Sequence, residues 1–156
     1  MKKIVLLCLL GVLPCALSAQ ERDMGAGLVI GDPVGISGKM WLSRRNAVDG
    51  AFSVVSGNKL YLHGDYLWHD YAAFPEPEEG KLPLYYGVGA RIISDGQFGV
   101  RGVIGIEYIF DGYPFDLFLE LAPVLDIAED AGLRFTGGFG GRYFFGAGTA
   151  KKKRSR

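Results

Sequence analysis

From residue 24 to residue 145 apolar and polar positions alternate with a period of two, and turn residues break the pattern at intervals. Successive side chains of a strand point to opposite faces, so this period predicts β-strands. The run at 133–145, LRFTGGFGGRYFF, is the plainest case. Leu133, Phe135, Gly137, Phe139, Gly141, Tyr143 and Phe145 share one face, and Arg134, Thr136, Gly138, Gly140, Arg142 and Phe144 share the other. Seven more runs alternate in the same way, at 24–30, 35–42, 47–55, 59–71, 82–93, 98–110 and 115–126. Gly, Asp, Asn, Ser and Pro fill the short gaps, as turns require. Only residues 73–81, AFPEPEEGK, make a long connection. Its two prolines and three glutamates cannot continue a strand ladder, so it reads as a solvated loop.

The charges follow the same parity. Lys39, Asp49, Asp65, Arg91, Arg101, Glu107, Asp116, Glu120, Arg134 and Arg142 all fall on the less apolar face of their strands, and none falls on the apolar face. A charge facing lipid at mid-bilayer costs about 2–4 kcal/mol, so a membrane barrel requires this segregation. A soluble sandwich would also separate its charges but would send them to water. Here the charged face carries glycines and aromatics as well, and the signs nearly balance. Buried charges must be paired, and four carboxylates with four guanidiniums from the last four strands would form a lumen network. The expected fold is therefore all-β, an eight-stranded antiparallel up-and-down transmembrane β-barrel. Eight strands enclose an interior that side chains fill, and closure removes the edges that lipid forbids. Tyr66, Trp68, Tyr86, Tyr108, Phe110, Phe115, Tyr143 and Phe145 end the apolar faces and suit interfacial girdles.

The ends of the chain add a compartment. Met1-Lys2-Lys3, an apolar stretch at 4–17, and the small residues Ala16, Ser18 and Ala19 read as a secretory signal peptide over residues 1–19. Both cysteines, Cys8 and Cys15, lie inside it. The Leu-Pro before Cys15 departs from a lipoprotein box. Residues 20–145 are then the barrel, free of thiol chemistry. Residues 146–156 form a tail with five basic residues packed into Lys151–Arg156, read as solvated or as a contact for anionic partners. Because the tail holds so much of the positive charge, the body is mildly acidic, which argues against nucleic-acid binding.

The signal peptide, the alternating strands and the last strand ending in an aromatic resemble the small eight-stranded bacterial outer-membrane β-barrels, the OmpA transmembrane-domain and OmpX type. The stretches GDPVGISGKMWLSRRNAVDGA, LYLHGDYLWHDY and LPLYYGVGAR are similar to an uncharacterised subgroup of such Gram-negative cell-envelope proteins. The resemblance implies residence in the outer membrane after secretion through the inner membrane, and a membrane-insertion signal at Phe139, Tyr143 and Phe145. It implies contact with outer-membrane lipid and lipopolysaccharide, and with the barrel-assembly machinery during insertion. It implies a monomer with a structural, interaction or adhesion role and no cofactor.

Other chemistry is weaker. Ser53, His63 and Asp65 on neighbouring strands invite a hydrolase triad, but no nucleophile motif supports it, and a hydrogen-bonded interior network explains them better. His63 and His69 lack a third ligand at a defined spacing. The glycines of GVGAR and GGFGG match no phosphate loop. Asp126, Glu129 and Asp130 suit an acidic turn better than a cation site bridging lipopolysaccharide phosphates. No catalytic, cofactor-binding or metal residue is assigned. The alternatives are a soluble periplasmic lipocalin-like barrel binding an apolar ligand, an outer-membrane barrel enzyme, and a narrow diffusion channel.

Overall fold

A computed structural model describes residues 24–127 and 131–145. The expected signal peptide, the basic tail, Glu129 and Asp130 lie outside these residues. Eight strands form: β1 (Met24–Asp32), β2 (Gly35–Trp41), β3 (Asn46–Val55), β4 (Lys59–Asp70), β5 (Leu84–Ile93), β6 (Phe98–Ile109), β7 (Phe115–Asp126) and β8 (Gly132–Phe145). Each pairs antiparallel with the next, and β1 pairs with β8, so the sheet closes into an up-and-down barrel. Alternation and tight turns account for this order. At the β3–β4 hairpin Gly57 and Asn58 both take positive φ, 79° and 58°, the backbone that matches the twist of the flanking strands.

The parity of the sequence becomes inside and outside. On β4, Tyr61, His63, Asp65, Leu67 and His69 are buried while Leu60, Leu62, Gly64, Tyr66 and Trp68 are exposed. The same alternation holds on β7. Inward aromatics lie on glycines of the adjacent strand. Phe144 opposes Gly25, Tyr85 opposes Gly105, and Phe118 opposes Gly140. A Cβ on Gly25 would meet the Phe144 ring at 2.9 Å, closer than van der Waals contact allows. These glycines make room for large side chains in a narrow interior.

Both described chain ends and the turns after β2, β4 and β6 lie at one end of the barrel, here the terminal end. The 71–83 connection is among them. It extends the wall rather than hanging free: Lys81 and Ile109 exchange backbone hydrogen bonds, and Glu107 N donates to the Pro83 carbonyl. Gly80 N reaches Asp111 Oδ2 at 3.1 Å, and the Tyr108 hydroxyl donates to the Glu79 carbonyl at 2.7 Å. At the opposite end, the mouth, the fully described turns, 33–34, 56–58 and 94–97, are short. Outward tyrosines and the outward Trp68 gather on the terminal half alone, in ring pairs such as Tyr66–Trp68, Trp68–Tyr86 and Phe115–Tyr143. The sequence pattern suggested girdles. Among the described residues there is one girdle of Tyr and Trp, and the mouth end carries Phe52, Phe98 and Phe135 instead.

Candidate functional site

The chemistry of the described chain is concentrated inside the barrel, in three layers. The layer nearest the terminal end joins Lys39, Asp49, Glu107, Asp116 and Arg142. Lys39 Nζ donates to both oxygens of Glu107, at 2.6 and 2.7 Å. Strands β2 and β6 stand on opposite sides of the ring, so this pair crosses the whole interior. Arg142 spreads its guanidinium over three strands. Nε donates to Asp116 Oδ1 at 3.3 Å, Nη1 to Asp49 Oδ2 at 3.3 Å and Nη2 to Glu107 Oε1 at 3.5 Å. Its other face rests on the Phe118 ring, 4.0 Å from the centroid, where a desolvated cation is attracted to the π-system. His69 closes the layer. Its Nδ1 lies 3.2 Å from the Arg45 carbonyl, and its Nε2 lies 2.9 Å from Lys39 Nζ and 3.3 Å from Glu107 Oε2.

Arg101 centres the middle layer. Nε lies 2.8 Å from Asp65 Oδ2, Nη2 donates to Glu120 Oε1 at 3.1 Å, and Nη1 donates to the Tyr61 hydroxyl at 3.4 Å. Tyr85 adds a hydrogen bond to Glu120 Oε2 at 3.2 Å. Asp49 and Asp65 face each other directly in register, a like-charge pair that destabilises a sheet when left alone. Arg142 and Arg101 offset it from the two sides. In these two layers three cations meet five carboxylates, so the interior is less balanced than the strand pattern implied.

The mouth layer holds Arg91, Arg134 and Asp126. Arg91 Nε donates to Asp126 Oδ1 at 3.0 Å, with Nη2 on the same oxygen. Arg134 Nε lies 2.9 Å from Asp126 Oδ2. Arg134 differs from the other nine charged positions singled out in the sequence, because its side chain is 54% exposed at the rim. Phe139, Tyr143 and Phe145 lie outward on β8 and are exposed.

Ser53, His63 and Asp65 do not assemble into a relay. Ser53 Oγ donates to the Val34 carbonyl, and Ser53 pairs in register with Tyr61 rather than His63. His63 Nδ1 sits 3.3 Å from Arg101 Nη1, and its Nε2 is 3.8 Å from Asp65. His63 and His69 belong to different layers. Sequence reasoning passed over Tyr61, Tyr85 and His69 as members of the network. All three sit on the charged parity of their strands, which was the available signal. Comparison with protein-family models, with curated proteins and with solved structures finds no match to this chain.

Proposed function

We propose that this protein is a small, monomeric, integral outer-membrane β-barrel of the OmpA transmembrane-domain and OmpX type, with a structural or interaction role and no catalytic activity. The observation that carries the reading is the outer surface. Leu28, Ile36, Leu62, Val88, Ile104 and Leu119, on six different strands, are each about half exposed or more, while Lys39, Asp65, Arg91, Arg101 and Asp116 on five of those strands are buried inside. A continuous apolar surface of this kind marks contact with lipid or protein, and here it encircles the barrel. An ionic interior with an apolar exterior is the inverse of a soluble ligand-binding barrel and suits lipid as the solvent. Strands β3 to β8 run 10 to 14 residues, and a tilted spanning strand needs about 9–11. The Lys39–Glu107 pair and Arg142 fill the cross-section, which supports a scaffold rather than a diffusion channel.

The test is fractionation of cells, followed by gel migration with and without boiling. Recovery in the outer-membrane fraction with a heat-dependent shift supports the reading. Release as a soluble periplasmic protein overturns it. A reconstituted bilayer should show no conductance steps.

A further inference from the structure

The barrel wall is lower on one side of the mouth. The β1–β2 pairing stops at Val29–Gly35, and the β2–β3 pairing starts at Gly35–Ser53. Beyond that point β3 continues through Val54 and Val55 with β4 alone. On the other side of the hairpin, β1 pairs with β8 no further than Asp32–Gly137. Residues 132–136 of β8 continue upward with β7 alone. The short β1–β2 hairpin therefore leaves a notch between Val55 and Phe135. Behind the notch is a cavity of about 390 Å³ lined by Asp32, Val55, Tyr61, Arg91, Ile93, Arg134, Phe135 and Thr136. That volume lies within the range of small-molecule sites, about 300–1,000 Å³.

The lining has two characters. Val55, Ile93 and Phe135 are apolar, and Phe135 is 64% exposed at the opening. The polar groups are mainly donors, with Arg91 and Tyr61 buried and Arg134 exposed at the rim. The guanidiniums of Arg91 and Arg134 share the single carboxylate of Asp126, one on each oxygen. The Tyr61 hydroxyl accepts from Arg101, which leaves its own proton to donate. Thr136 is committed to the Ala122 carbonyl. Asp32 stands at the rim and forms no ion pair with either arginine. A donor-rich floor behind an apolar side opening matches a ligand with an acceptor head and an alkyl chain. The geometry points to a binding site for an anionic amphiphile, with its phosphate or carboxylate on Arg91, Arg134 and Tyr61 and its chain leaving through the notch. The notch belongs to the wall itself, so the site does not depend on whether the barrel spans a membrane.

The test uses the full chain purified in a neutral maltoside detergent. Decyl phosphate, short-chain dioctanoyl phosphatidate, inorganic phosphate and decanol are titrated by calorimetry and by the midpoint of thermal unfolding. Saturable binding of decyl phosphate or of the phosphatidate, weakened about tenfold by Arg134→Gln, supports the site; tenfold is the loss of about 1.4 kcal/mol of binding. Preference between those two probes separates a free amphiphile from a lipid as the natural source, and either preference supports the site. Arg134 is exposed, so its variant should fold even if Arg91→Gln does not. Equal binding of decanol, equal binding of inorganic phosphate, an unchanged affinity in Arg134→Gln, or no binding at all would each overturn the assignment.

Discussion

Arg142 and Arg101 each hold carboxylates from two or more strands, and both are almost wholly buried. Removing one such cation leaves its carboxylates uncompensated in a dry interior, which costs about 3–5 kcal/mol. Arg101→Leu alone should therefore destabilise the barrel more than Arg101→Leu combined with Asp65→Asn and Glu120→Gln. Urea unfolding in detergent checks this, and equal losses would remove the network as a source of stability. The exposed turn at residues 94–97 behaves differently. Lys59 Nζ donates to Asp95 Oδ2 at 2.7 Å, and this bond holds the Asp95 carboxyl below its ordinary value of 3.8. A depressed carboxyl contributes stability that is present above pH 3.8 and lost as pH falls through the lower folded value. In Lys59→Met the Asp95 carboxyl should titrate closer to 3.8, as followed by NMR in micelles, and no shift would refute the contact. Which residues are charged and inward was legible from parity. Which carboxylate each guanidinium takes was not, because Lys39–Glu107 spans 68 residues of sequence and the diameter of the ring.

Strands were legible as elements because period-two alternation survives wherever one face differs from the other. The eight expected runs match the eight strands to within two residues at each end. The interior glycines were legible as small residues, but their partners needed the register. On β6, Gly105 and Gly102 show the difference. A Cβ on Gly105 would overlap the Tyr85 ring, whereas one on Gly102 would meet only Pro123 Cγ at 3.7 Å. Gly105→Val should displace Tyr85 from Glu120 and lose about 1–3 kcal/mol. Gly102→Ala should stay within about 0.5 kcal/mol. Unfolding midpoints of the two variants decide it, and similar losses would show that the inner glycines are not spacers. The notch at the mouth was invisible in the sequence, since a hairpin is short only relative to its neighbours.

For the whole molecule the proposed membrane reading makes a depth-dependent prediction. Val88 lies near the middle of the outer belt and Phe98 at the mouth-end rim, and both are exposed. Val88→Arg should cost about 2–4 kcal/mol in lipid vesicles and Phe98→Arg about 0–1. In a water-exposed barrel neither change should matter, so equal and small effects would count against lipid as the solvent. The single girdle of Tyr and Trp on the terminal half should set how deeply that end sits at the interface.

The sequence by itself determined the strand count, the all-β class and the segregation of charge from apolar surface, because each follows from local alternation and turn chemistry. Tertiary structure alone decided the three ionic layers, the excess of carboxylates in the inner two, the position of Arg134 at the rim and the lowered wall above the β1–β2 hairpin. Those depend on register and closure, which bring distant residues to one height in the ring.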